Sequence, residues 1–359
     1  MPELSLPQDS YFLGFDSSTQ SLKATVLDSN LNIVASELVR FDSDLPHYKT
    51  KDGVYRDPSG NGRIVSPTLM WLEALDLMLQ KLSKPNFDFA KVAAVSGSGQ
   101  QHGSRPLLDQ LENAFSIKES PIWMDSSTTA ECRAIEKAFG GALELVHVTG
   151  SHAYERFTGP QIKKIFDTRP EIYSSTERIS LVSSFMARLF SLALMLPLII
   201  LMATAPGLES KLGELAPAYA VAGNIAPYFV ERYHFNKDCL VVQWSGDNPN
   251  SVAGLTLNIP GDLAISLGTS DTVFMITKDP NPGLEGHVFP NQVDAEGYMV
   301  MLVYKNGSLT REGTVVVNLS VGFHRYIIEN FSGTPDGLKE KEVEEFDPAS
   351  EIRNHMGIP

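Results

Sequence analysis

Between residues 11 and 99 the chain runs through strands, a polar loop, a helix and a further strand, and this order admits few folds. YFLGFD, starting at Tyr11, is apolar and strand-like, SSTQSLK is a polar turn, and ATVLDSNLNIVASELVRF continues as strand with a turn at Ser29-Asn30. Residues 42–66 are rich in Asp, Gly, Pro and Lys and read as a surface loop. Ser66 is the expected helix N-cap and Pro67 the expected first helical residue, because Leu69, Leu72, Leu75, Leu79 and Leu82 then recur at helical spacing. KVAAVSGSG is a buried strand running into a glycine turn. Strands joined through a helix predict an α/β domain.

The rest of the chain extends the pattern. Residues 125–188 read as mostly helical, with loops at Gly140-Gly141 and Gly159-Pro160, and Pro206-Gly207 marks a break. CLVVQWSGD is expected to begin a second strand-rich unit, in which GDLAISLGTSDTVFMITK is again strand, small-residue turn, strand. The two hairpins, 11–28 and 262–278, are alike in kind and suggest two related halves. The expected divisions are a first domain at 10–225, a second at 226–335 and a charged tail at 336–359.

Charge and cysteine usage narrow the partners. A formal net charge of -14 repels nucleic acid and anionic membrane, so neither is an expected partner. Local backbone N–H groups can still bind phosphate in an acidic protein. Two cysteines, Cys132 and Cys239, far apart in sequence, build neither a disulfide framework nor a metal-ligand spacing. A reduced, cytoplasmic compartment follows as the expectation. The start, MPELSLPQDS, lacks the basic and apolar regions of a secretory signal. The run LFSLALMLPLIILMA (189–203) is short for a membrane span and holds Pro197, so a buried helix or misfit insert is favoured over an anchor.

Four short stretches could carry chemistry. In the first hairpin, backbone N–H groups and the hydroxyls of Ser17, Ser18 and Thr19 could surround a phosphate, Asp16 could hold a hydrated Mg²⁺, and Lys23 could offset phosphate charge. An ordinary polar hairpin is the competing reading. SGSGQQHG places His102 where a dinucleotide fingerprint needs its third glycine, and reads better as a turn presenting Gln101 and His102 to a polar ligand. Asp247 and Asn248 offer acceptors and donors suited to sugar hydroxyls, or form an Asx turn before Pro249. Gly268, Thr269 and Ser270 repeat the phosphate logic of the first hairpin. The absence of GxxxxGK[ST], HExxH and CxxC patterns argues against P-loop ATPases, zincins and thiol-redox proteins.

Taken in order, GFDSSTQSLKATVLD, SGSGQQHGS, SPIWMDSST, AYERFTGPQI, STERISLVSSFMA, GDNPNSVAGL, GDLAISLGTSDTVF, LEGH, YMVMLVYKNGSLTRE and HRYIIENF resemble the FGGY carbohydrate kinases, most closely the eukaryotic xylulose kinases. The resemblance implies an actin-like ATPase fold of two ribonuclease-H-like domains around a cleft, the second incomplete here. It implies ATP- and Mg²⁺-dependent phosphorylation of D-xylulose to D-xylulose 5-phosphate. It implies that His102, Arg156, Asp247 and Asn248 bind the sugar. The first hairpin with Asp16 as metal ligand, and Gly268, Thr269 and Ser270, would hold phosphates and metal. Asp125 lies in a motif near the sugar.

The sequence departs from the family at several points. RLFSLALMLPLIILM, without an acid, stands where the resemblance expects the stretch bearing the catalytic aspartate, so no catalytic base is expected. RPLLDQ follows Gly103-Ser104 early, GTVVVNLSVG replaces a longer region, and no glycine-rich adenosine motif is recognisable. The sharp switches resemble those of a truncated splice isoform or an imperfect gene model. The expectation is an impaired kinase. The alternatives are a non-catalytic sugar-binding or decoy isoform, able to form a homodimer or to pair with a full-length subunit, and a membrane-associated protein using 189–203.

Overall fold

The computed structural model describes residues 9–84, 87–100, 104–106 (main chain), 117–190, 204–212, 216–267, 271–291 and 296–304. Three antiparallel strands open the chain: β1 (Tyr11–Ser17), β2 (Ser21–Leu27) and β3 (Ile33–Arg40). A helical turn α1 (Phe41–Asp44) and short strands β4 (Tyr55–Arg56) and β5 (Ile64–Pro67) interrupt the predicted loop. Helix α2 (Thr68–Ser83) follows, then β6 (Val92–Gly99).

The predicted helix start is corrected here. Ser66 and Pro67 end β5, and Ser66 Oγ donates to Gly53 O at 2.9 Å rather than capping α2. The hydroxyl is drawn away because it is buried and a main-chain carbonyl of the adjoining loop lies within reach. Helix α2 turns Met70, Trp71, Ala74, Leu75, Met78, Leu79 and Leu82 inward against β2 and β3, while Leu69 faces solvent.

A helical stretch succeeds two short strands, β7 (Ser104–Pro106) and β8 (Glu119–Pro121). It comprises α3 (Thr129–Ala138), α4 (Ala142–Thr149), α5 (Thr158–Thr168) and α6 (Pro170–Ser175), then strand β9 (Ile179–Leu181) and α7 (Val182–Phe190). Gly159-Pro160, expected as a loop, lies in the first turn of α5, where proline's missing N–H has no helical acceptor to lose. Leu189 and Phe190, the start of the apolar run, end α7, with Phe190 fully buried against Phe15 and Phe229; residues 191–203 lie outside the described residues. Among the described residues no helix is long and apolar enough to cross a membrane.

Further on come α8 (Leu208–Leu212), β10 (Val221–Asn224), α9 (Pro227–Tyr233), β11 (Leu240–Val242), β12 (Ser245–Gly246) and α10 (Asp247–Gly254). The first sheet has the order β10-β11-β6-β1-β2-β3, with β12 also on β6. Strands β1, β6, β11 and β12 are parallel where they pair, and the rest are antiparallel. CLVVQWSG, read from sequence as the opening of a second unit, therefore completes the first sheet. Its apolar residues, Val241 and Trp244, are buried in the same core as Leu13, Phe15 and Val95. The second sheet is antiparallel in the order β13-β14-β16-β15, from β13 (Leu263–Leu267), β14 (Asp271–Thr277), β15 (His287–Pro290) and β16 (Tyr298–Tyr304).

The chain resolves into two compact units. One holds the described residues up to Gly141 and from Ala153 to Ser251, and the other holds Ala142–His152 and those from Val252 onward. The excursion 142–152 is stitched to β15: Val288 N donates to Gly150 O at 2.9 Å, and Ser151 Oγ and His287 Nδ1 are 2.8 Å apart, both buried. Gly150 has a φ of +79°, and a Cβ there would sit 2.4 Å from Val288 O, so only glycine permits the contact.

Candidate functional site

Four of the residues expected at a site, Asp16, Ser17, Asp247 and Asn248, stand at the carboxyl ends of parallel strands, the edge where α/β sheets bind ligands. Asp16 is in register with Ser98 and Ser98 with Ser245; one step on, Ser17 pairs with Gly99 and Gly99 with Gly246. Asp247 and Gln100 are then the first residues past the ladder on two neighbouring strands. Packing forces two of the glycines. A Cβ on Gly97 would lie 2.7 Å from Phe15 O and 2.8 Å from the Trp244 ring, and one on Gly99 would lie 2.7 Å from Ser183 N at the start of α7.

The β1–β2 turn is braced on several sides. Ser18 N and Ser18 Oγ both donate to Ser21 O, at 3.0 and 2.9 Å. Thr19 Oγ1 accepts from Trp123 Nε1 at 2.8 Å, leaving its own proton to donate elsewhere. Phe41 N donates to Gln20 O, and Gly53 (φ +75°) presses so close that a Cβ would meet Thr19 O at 2.1 Å. Ser17 Oγ is buried without a partner among the described residues. Of the three predicted phosphate-binding hydroxyls, Ser18 is thus spent on the turn itself, while Thr19 retains a donor.

Asp16 accepts from Ser98 Oγ at 3.0 Å and faces Lys23 across the hairpin at 3.5 Å, a half-exposed pair worth little by itself. Asp247 opens α10. Its carboxylate accepts from Asn248 N at 2.9 Å, and Asn250 Nδ2 ties the helix to Gly97 O at 2.9 Å. Burial pushes the Asp247 carboxyl up to about 6; the Asn248 N–H opposes this in part, and the negative charge of Asp16 adds to it. Two carboxylates thus flank the end of β6, one basic enough to accept a proton near neutral pH.

Arg156 comes from a different segment of the same unit, just before α5. Its guanidinium stacks 4.5 Å from the Tyr154 ring centroid and 5.6 Å from that of Phe157, and burial lowers its pKa from arginine's ordinary value. Asp125 is a buried structural node. It accepts from Ile64 N (2.9 Å), Ser127 N (3.0 Å), Ser127 Oγ (2.6 Å) and Gln161 Nε2 (2.7 Å). His102, Gly268, Thr269 and Ser270 lie outside the described residues. Sequence reasoning passed over Trp123, Gly53 and Gln100; the quoted motifs WMDSS and GQQHG hold two of them, but their partners come from distant segments.

Among the described residues no group of three or more His, Cys, Asp or Glu could hold a metal ion. Mg²⁺ needs no such cage: one or two carboxylates plus substrate phosphates and water suffice, and Asp16 at the strand end suits that chemistry.

Residues 11–192 match the N-terminal domain of the FGGY family of carbohydrate kinases. The chain is 61% identical to "Xylulose kinase 2" of Arabidopsis thaliana, over 98% of this chain and 76% of that one. It is 47% identical to "Xylulose kinase" of Mus musculus, over 84% of this chain and 61% of that one, so it spans about three-fifths of the length of the mouse relative. A crystal structure titled as a xyloylose kinase from Brucella ovis superposes with a TM-score of 0.70 at 20% identity, covering 84% of this chain and 62% of that chain. A ligand-bound xylulose kinase from Lactobacillus acidophilus gives a TM-score of 0.69 at 18% identity, covering 84% and 61%. These likenesses establish the actin-like ATPase fold expected from the motifs. The agreement of sequence, family match and fold places this chain in the FGGY family of carbohydrate kinases.

Proposed function

We propose that the chain is xylulokinase-like: it binds D-xylulose and ATP at the carboxyl end of the first sheet and transfers the γ-phosphoryl group to the sugar, giving D-xylulose 5-phosphate and ADP. The observation that supports this reading is Asp247, half-buried beside the end of β6, raised to about 6 and within the electrostatic reach of Asp16. A base is most effective when its pKa lies near the working pH. Asp247 takes the proton of the attacking hydroxyl, and Asn248 N–H holds the carboxylate in place. On this reading Asp247, assigned from sequence to sugar binding, acts as the base that was expected to be missing, and its raised pKa supports that role. Sugar binding by Asn248, Arg156 and His102 stays part of the proposal.

On the phosphate side, the first hairpin contributes backbone N–H groups and the Thr19 hydroxyl; phosphate binding by Gly268, Thr269 and Ser270 stays part of the proposal. Asp16 would hold Mg²⁺, whose chemistry, when bound, would be to offset charge on the phosphates. The Phe15–Trp244 stack ties β1 to the segment that leads into β12, an arrangement suited to bringing the reactants together with little rearrangement.

A coupled assay of the purified chain should show ADP release that depends on D-xylulose. Asp247→Asn should lower kcat by about 10²–10⁴-fold while leaving KM for xylulose within a few-fold. Failure to release ADP, together with no calorimetric heat on adding D-xylulose, would refute the proposal. Comparison with the Arabidopsis relative measures how much the departures from the family pattern, the run 189–203 among them, cost together in turnover.

A further inference from the structure

Gln100 carries a feature that neither the hairpin nor Asp247 explains. It is 1% exposed, and neither Nε2 nor Oε1 has a partner among the described residues. Its main-chain N–H is engaged, donating to Ser17 O at 2.9 Å, and Ser17 Oγ is itself buried and unpartnered among those residues. Three side-chain polar atoms are therefore withheld from water at the adjoining ends of β1 and β6. Left so, each would destabilise the fold, since a buried amide or hydroxyl that gives up hydration needs a partner in return. Such groups call for a partner from outside the chain, an ordered water or a ligand.

The ladder fixes where Gln100 stands. Ser17, Gly99 and Gly246 share one level, Gln100 follows Gly99, and Asp247 follows Gly246. Gln100 is thus set between the phosphate hairpin on one side and Asp247 on the other. Gly99 cannot shift to accommodate a different path, because α7 abuts it.

We propose that Gln100 positions the sugar, its carboxamide binding a hydroxyl of the polyol beside Asp247. The chemistry selects the ligand class. Both ends of a carboxamide are satisfied together by a group that accepts from Nε2 and donates to Oε1, and a hydroxyl does both. A phosphate oxygen only accepts and would leave Oε1 bare. In a water-poor setting such a bond gains strength, which suits it to orienting one hydroxyl among several. This inference rests on the sugar-kinase reading of the site.

The test compares Gln100→Met, which keeps volume and removes the polar atoms, with the parent chain. D-xylulose affinity is measured by calorimetry, ADP affinity likewise, and Tm by thermal melting. The expected result is a loss of at least about 10-fold in xylulose affinity with ADP affinity unchanged and Tm equal or higher, because an orphaned amide is replaced by an apolar group. Unaltered xylulose affinity in a folded Gln100→Met overturns the proposal and leaves the kinase reading intact. A parent chain that gives no heat with xylulose sinks both. Should Gln100→Met fail to fold, Gln100→Asn decides: it retains the amide one methylene short, and parental xylulose affinity in that variant overturns the proposal.

Discussion

The two hairpins have nearly interchangeable sequence patterns and opposite surroundings. In β1–β2 the alternation buries Leu13 and Phe15 on one strand and Leu22, Ala24 and Val26 on the other, and β1 is hydrogen-bonded on both edges. In β13–β14 the second strand is buried, but β13 pairs with β14 alone among the described residues. It leaves Leu263, Ile265 and Leu267 exposed at 40, 50 and 65%. Alternating apolar residues say that a strand has a face to bury; which neighbour arrives to bury it is settled by topology.

This contrast should show in stability. Phe15→Ala removes a ring stacked on Phe190 and Trp244, with centroids 5.2 and 5.6 Å away, and should cost about 3–5 kcal/mol in the denaturant transition of the first unit. Asp247→Asn tests the electrostatic side. The carboxyl's native value, about 6, lies above its unfolded value of 3.8, so over that interval the folded chain holds the extra proton. Stability from this group is present below about pH 4 and lost as pH rises through 6. The variant should therefore melt higher than the parent at pH 7.5, and the gap should close toward pH 4. In the parent, kcat should fall below about pH 6 as the base is protonated.

Smaller effects sharpen the comparison. Gly97→Ala forces a methyl against Phe15 O and the Trp244 ring and should cost about 1–3 kcal/mol, whereas Gly254→Ala, with nothing within 4 Å, should be neutral or stabilising by up to about 1 kcal/mol. Ile265→Ala on the exposed face of β13 should change stability by no more than about 0.5 kcal/mol. A large loss there would mean that β13 is covered after all and would dissolve the contrast between the hairpins.

The alternating strands and the glycine-rich end of β6 were legible in the sequence because their signals are local. The start of α2 was not, since Ser66 answers to Gly53 rather than to the helix that follows it. The allegiance of Leu240–Gly246 was hidden for the same reason, as nothing local reveals pairing with β6. At the site, residue types could be read from motifs, and roles could not. Asp247 reads as an acceptor for sugar hydroxyls until burial and the nearness of Asp16 raise it into the range of a base. Gln100 reads as one of two adjacent glutamines until its amide proves unpartnered among the described residues.

The excursion of Ala142–His152 into the second unit means that the polypeptide passes from one unit to the other three times, at Gly141/Ala142, His152/Ala153 and Ser251/Val252. Neither unit is a continuous stretch of the gene. A fragment ending at Ser251 would part Gly150 and Ser151, just past α4, from Val288 and His287, and one beginning at Val252 would leave those two groups without these partners. Dissection by simple truncation would therefore damage both pieces, and modular exchange in this protein would have to transplant the eleven-residue strut along with the sheet it serves.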